Sequence, residues 1–167
     1  MKQEFNQVLI YDAVVVGGGL AAIKSAYECA KAGLFTLMVV KRELCSGSSF
    51  YPLTGALGCQ APKDDRDKQL FLEELEDSGA RMNSRRLSEI YIDEISDRVK
   101  ELPDLGIRYE SYPGRKACFA KRERILNTWS DWGEIATKVG KVLRSFANLT
   151  IMEYMDVLQL VQRNGRV

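Results

Sequence analysis

The apolar positions change their spacing twice within the first forty residues. Asp12 to Val16 is a short apolar run, mostly β-branched, that stops at three glycines, Gly17, Gly18 and Gly19. A continuous run of that length without polar alternation reads as a buried parallel strand entering a tight turn. From Leu20 the chain continues Ala21-Ala22-Ile23-Lys24-Ser25-Ala26, a helix rich in small residues that closes at Gly33. Glycine takes the left-handed backbone of a helix end without steric cost. Phe35 to Val40 is a second apolar run of strand length. Strand, glycine turn, helix and strand within about thirty residues make a βαβ unit of the dinucleotide-binding kind.

The same reading carries down the chain. Ala61 to Asp67 is a polar turn, and Gln69 to Leu75 is read as helical. Ser84 is placed as the cap of a helix through Leu102, with Leu87, Tyr91, Ile95, Val99 and Leu102 on its core stripe. Pro103 and Gly106 end it, and Ile107 to Glu110 follows as a short strand. Asp131-Trp132-Gly133-Glu134 fits a capping box that opens a helix to Phe146, with Ile135, Val139, Val142 and Phe146 facing inward. Leu149 to Met155 is the third strand of the parallel sheet. Val157 to Arg163 is read as a strand leading into Asn164-Gly165, a hairpin-turn signal with no return strand after it. The expectation is therefore an α/β, Rossmann-like domain over 1–167, the N-terminal segment of a longer protein with its sheet and hairpin incomplete. The alternative is a natural small subunit completed by another chain.

The glycine turn assigns chemistry. Gly17 permits the turn, Gly19 lets backbone approach a pyrophosphate, and Ala22 lets the helix lie close to the strand. The helix N-terminus then turns free N–H groups and the positive end of its dipole toward phosphate. A ribose-binding acid is expected near the end of the second strand. The chain instead reads Val40-Lys41-Arg42-Glu43, with Glu43 late for that role. Lys41 and Arg42 fit the 2′-phosphate of NADP or solvated loop charges equally well. The hydroxyl-rich stretch from Ser46 to Gly55 offers backbone and side-chain donors to an extended cofactor, or is a plain surface loop.

Composition narrows the classes. With 24 basic against 23 acidic residues the net charge is +1, which gives no electrostatic case for nucleic acid. The chain has no histidine, so imidazole acid–base catalysis and histidine–zinc chemistry are excluded. Four cysteines without a Cys-x-x-Cys pair argue against a metal site and for reduced thiols in a cytoplasmic protein. No signal-peptide pattern and no transmembrane run is present. Arg115, Lys116, Lys121, Arg122 and Arg124 form a basic stretch, read as a solvated face or as an attractor for an anionic substrate or partner. Trp129 and Trp132 are read as packing residues.

Val14 to Ala22, Val39-Val40-Lys41, Ser46 to Tyr51 and Thr54-Gly55 together resemble the N-terminus of the succinate dehydrogenase/fumarate reductase flavoprotein family. The Gly47 to Tyr51 run is most similar to the L-aspartate oxidase branch. The resemblance runs from Asp12 to Val167. It implies a doubly wound FAD domain with an inserted capping domain, and non-covalent FAD. It places the pyrophosphate at Gly17, Gly18, Gly19, Leu20, Ala21 and Ala22. Further contacts are implied from Val40, Lys41, Arg42, Ser46, Gly47, Ser48, Ser49, Thr54 and Gly55, and the backbone near Val157 is implied to meet the adenine. Family members with covalent flavin carry a histidine where this chain has Ser48. The usual Gln-Gly-Gly is replaced by Leu53-Thr54-Gly55, and a Gly-Gly-His-Ser segment is missing from the basic stretch. The implied activity is hydride transfer between a small-molecule substrate C–H bond and flavin N5, with electrons leaving to an acceptor. No catalytic residue is assigned within this chain. A FAD-holding subunit completed by a partner chain, and an NAD(P)-binding domain, stand as alternatives.

Overall fold

The first βαβ unit forms where the apolar pattern places it. In the computed structural model, which describes residues 9–50, 58–117, 120–130 and 132–162, β1 is Ala13–Val16, α1 is Leu20–Lys31 and β2 is Thr36–Val39. Ile23, Ala26, Tyr27 and Ala30 are buried on α1, the three-and-four spacing of a helix face laid on a sheet. Gly33 sits at φ +85°, and the Asn148 side-chain amide donates to the carbonyls of Ala30 (2.9 Å) and Leu34 (2.8 Å), satisfying the end of α1. β1 and β2 pair in parallel from Ala13↔Thr36 to Val16↔Val39.

The chain divides into two compact units, Met1–Tyr51 with Ala136–Val167, and Pro52–Ile135. In the first, β6 (Leu149–Met152) pairs in parallel with β2, so the sheet order is β1-β2-β6. Val139 and Leu143 of α4 (Trp132–Arg144) are fully buried, and Tyr27 of α1 meets Phe146 edge to face at 5.6 Å. The expected inward row on α4 is present at Ile135 and Val139 and shifts from Val142 to Leu143. Asp131, the expected cap, lies outside the described residues. One expectation for β1 is corrected. Its outer face is not buried: Val14 is 58% exposed and Val16 55%. The strand is apolar on both faces, but α1 covers only one of them.

The second unit is an antiparallel sheet of order β3-β5-β4, formed by β3 (Gly58–Ala61), β4 (Tyr109–Arg115) and β5 (Arg124–Trp129), with α2 (Asp65–Ser78) and α3 (Arg85–Lys100). Asp64 caps α2 by accepting from the Asp67 amide at 2.9 Å. Phe71, Leu72 and Ile92 form its core cluster, with Leu75 and Tyr91 against it. Ser84 occupies the capping position of α3 but its side chain makes no capping bond. The buried stripe on α3 runs through Ser88, Ile92 and Val99, while Leu87 is 66% exposed. Of the expected stripe, Val99 and Leu102 are buried and Tyr91 packs against the core cluster; the departure is at Leu87, with Ile92 buried against Phe71 and Leu72 of α2 instead.

Arg124, expected as part of a solvated or anion-attracting stretch, is fully buried. Its Nε donates to Asp67 (2.9 Å), its Nη1 to Glu74 (3.1 Å), and its guanidinium lies 4.1 Å from the centre of the Phe71 ring. Burial alone would push Glu74 up. The Lys121 amide (2.5 Å) and the Arg124 guanidinium overcome that and hold its carboxyl below the usual range.

The expected strand at Val157 to Arg163 is also corrected. Residues 157–162 take no strand conformation, and Leu158 is 92% exposed. Tyr154 adopts φ +59°, which ends the extended run just past Met152. The Asn164-Gly165 turn lies outside the described residues.

Candidate cofactor site

The site lies in the first unit, where β1 and β2 end. The Gly17 amide makes the last bond to β2, to the Val39 carbonyl at 2.9 Å, and then turns out of the sheet at φ +127°. A side chain at that φ would be strained. A Cβ there would stand 3.5 Å from Ala22 Cβ, so the small residue at 22 brings the helix close under the turn. The Ile23 amide donates to the Gly19 carbonyl at 3.0 Å and closes the first turn of α1. The amides of Leu20, Ala21 and Ala22 have no acceptor within the helix, and the dipole adds positive potential there.

The segment after β2 folds back over this turn. Val40 is buried, and its Cγ1 occupies the space 2.7 Å from where a Gly18 Cβ would be. Ser48–Phe50 form a single 3-10 turn, with the Phe50 amide bonded to the Gly47 carbonyl at 2.9 Å. Gly47 rests on Gly19, and the Leu20 amide donates to Ser49 Oγ at 3.4 Å. The close approach permitted at Gly19 is thus, in this structure, to the chain's own loop. What stays open is a crevice of about 220 Å³ lined by Gly17, Gly18, Val40, Lys41, Arg42, Ser46 and Gly47.

Those lining residues fit a dinucleotide diphosphate. Two cations, a hydroxyl and a floor without side chains line the crevice, the first turn of α1 lies beside it, and among the described residues no carboxylate lines it. The neighbouring acids are engaged. Lys41 Nζ lies 3.0 Å from Asp156, while Arg42 has no ion pair among the described residues. Glu43 accepts from the Tyr154 hydroxyl at 2.7 Å. That bond, then one to its own backbone and the charge of Arg42, hold its carboxyl below the usual range. Glu43 is therefore committed to a tyrosine.

A larger cleft of about 510 Å³ in the second unit is lined by Lys63, Asp64, Arg66, Asp67, Leu70, Arg122 and Glu123. Asp64 and Asp67 already accept from the amides at the start of α2, so that helix end is neutralised by its own acids.

Of the residues named from the sequence, seven line the crevice. Gly19 and Leu20 lie under the folded-back loop, Ser49 belongs to that loop and accepts from the Leu20 amide, Ala22 lies beneath the turn, and Ala21 is exposed on the first helical turn. Ser48 is in the 3-10 turn. Val157 is 43% exposed and follows Asp156 without lining the crevice. Thr54 and Gly55 lie outside the described residues. Sequence reasoning missed Glu153, Tyr154 and Asp156, which touch the 41–44 segment from more than a hundred residues away. No local pattern marks them.

An L-aspartate oxidase of Streptomyces coelicolor is 27% identical over 162 residues, covering 93% of this chain and 28% of that protein. A fumarate reductase (CoM/CoB) subunit from Methanothermobacter marburgensis is 27% identical over 103 residues, covering 59% of this chain and 18% of that protein. The chain thus spans less than a third of the length of either relative. Among solved structures, a variant of the E. coli quinol fumarate reductase FrdA superposes with a TM-score of 0.69 at 16% identity, over 89% of this chain and 26% of that one. The model of the FAD binding domain matches residues 12–167. The chain belongs to the FAD binding domain family, and its cofactor is FAD.

Proposed function

We propose that this chain is the FAD-holding part of a flavin-dependent oxidoreductase of the fumarate reductase/succinate dehydrogenase kind. The observation that carries the reading is the crevice with a glycine floor and two cations, and with no carboxylate among the described residues, beside the first turn of α1. Bound FAD would supply hydride chemistry, exchanging a hydride at flavin N5 with a substrate C–H bond. The chain's own residues bind and orient. Gly17 and Gly18 offer backbone to the diphosphate, Arg42 and Lys41 neutralise it, and Ser46 donates a hydroxyl bond. Ser48 provides no imidazole for covalent attachment, so the flavin is held non-covalently. The substrate is a small molecule and the electrons pass to a separate acceptor. The fumarate reductase relative is named as a subunit, which supports a partner subunit or oligomer here.

Cys29, Cys45 and Cys59 are free thiols, which supports a cytoplasmic location. Among the described residues no helix is long and apolar enough to cross a membrane. A second reading, a binding subunit whose catalytic surface belongs to a partner chain, is favoured by the lack of histidine. The test is to purify the chain, denature it and measure released flavin, then titrate the flavin-free chain with FAD and with NADPH. Saturable FAD binding without NADPH binding is expected. Binding of NADPH in place of FAD overturns the reading.

A further inference from the structure

The ladder between β2 and β6 ends at Val39↔Met152, yet the two chains do not part there. The Val40 amide donates to the Met152 carbonyl (2.8 Å) and the Met155 amide to the Val40 carbonyl (3.1 Å). The Tyr154 hydroxyl donates to Glu43 (2.7 Å), and Lys41 pairs with Asp156 (3.0 Å). The Glu153 carboxylate does two things at once. Its Oε1 accepts from the Leu44 amide at 2.7 Å, and its Oε2 accepts from Arg144 of α4 at 2.8 Å. Residues 153–156 therefore grip 40–44 at side chain and backbone together.

The segment so gripped forms the cationic side of the crevice and leads into the loop that lies on Gly19. The residue that follows it and one of the residues that grip it are held in an unfavourable backbone. Cys45 adopts φ +64° and Tyr154 φ +59°, left-handed conformations in residues that carry a Cβ. Such residues persist only where their surroundings over-determine them. The contacts above supply that constraint. Tyr154 is 68% exposed, so its hydroxyl bond does not serve a buried core.

We infer that Glu153 and Tyr154 are positioning residues for the cofactor. They touch no ligand themselves and act by holding 40–47 against the glycine turn. The inference rests on the FAD-holding reading above and adds to it a set of residues remote in sequence. It is tested in the full chain with Glu153→Ala, Glu153→Gln and Tyr154→Phe, by FAD titration and by hydrogen exchange at the Leu44 amide. Glu153→Ala should weaken FAD binding by about tenfold and speed Leu44 exchange. Glu153→Gln keeps an oxygen for the Leu44 amide and should retain most of the affinity. Tyr154→Phe should weaken binding by roughly threefold or more. FAD affinity within twofold of the parent in both Glu153→Ala and Tyr154→Phe overturns the inference. Equal losses in Glu153→Ala and Glu153→Gln also overturn it, because they would trace to lost charge. If Glu153→Ala fails to fold, Tyr154→Phe decides: FAD affinity within twofold of the parent overturns the inference, and a threefold or greater loss supports it. A parent chain that binds no FAD refutes the functional reading itself. A parent that binds while its variants bind equally well refutes only the role of Glu153 and Tyr154.

Discussion

Gly47 and Gly19 meet backbone to backbone, so closely that a Cβ on Gly47 would stand 2.8 Å from Gly19 Cα and 3.0 Å from its nitrogen. Neither atom can swing aside as a side-chain tip would. Gly47→Ala should lift the loop off the start of α1, weaken FAD binding by about tenfold and cost roughly 1–3 kcal/mol of stability. Flavin titration and denaturant midpoints check both effects. An alanine variant with parent affinity would show that the loop is not part of the site.

Gly18 makes a different demand. A Cβ there would lie 2.7 Å from Val40 Cγ1, a side-chain atom that can be removed. Gly18→Ala alone should destabilise by roughly 1–3 kcal/mol. Combined with Val40→Ala it should cost less than the sum of the two single changes, because the clash and its partner disappear together. A double-mutant cycle from urea unfolding measures this coupling.

The two cations of the crevice should not be equivalent. Lys41 shares its charge with Asp156 at 3.0 Å, whereas Arg42 has no ion pair among the described residues. Arg42→Ala is expected to weaken FAD binding by about tenfold and Lys41→Ala by roughly threefold, with the Arg42 effect shrinking as salt rises. Titrations at low and high ionic strength test the order.

Arg124 should matter for folding. Removing it leaves Asp67 with the Lys63 amide and Glu74 with the Lys121 amide and the more exposed Arg122 at 3.6 Å, and Arg124→Ala should cost about 3–5 kcal/mol. Replacement by methionine removes the same buried cation and should be nearly as costly. Denaturant unfolding followed by far-ultraviolet circular dichroism measures the loss.

Acid should undo the same cluster. Glu74 is held below its ordinary value of 4.5 in the folded chain, so it adds stability above that value and loses it as pH falls through the folded one. The denaturant midpoint should therefore drop on acidification below the ordinary carboxylate range. Arg124→Met should flatten that drop, because much of what lowers Glu74 is gone.

What could be read from the residues in order is the part of the fold whose causes are local. Asp12 to Val40 declares a strand, a glycine turn, a helix and a strand, because β-branched runs, three glycines and small helix residues each act over a few positions. The loop contributing Lys41 to Ser49 was legible for the same reason, since its hydroxyl-rich composition immediately follows a strand end. Other features depended on partners distant in the chain. Leu87 continues the apolar spacing of Tyr91, Val99 and Leu102, yet it is exposed, and only packing against α2 shows that Ile92 is buried instead. Arg124 looked like one cation in a basic stretch until strand pairing carried it to Asp67 and Glu74. Glu43 looked like a displaced ribose acid until Tyr154, 111 residues later, took its carboxylate. Charge and hydrogen bonding are satisfied by whatever the fold brings near, and no spacing in one chain encodes that. The sequence alone therefore determined the glycine turn and the helix that starts from it, and the tertiary structure decided which charges remain available beside them.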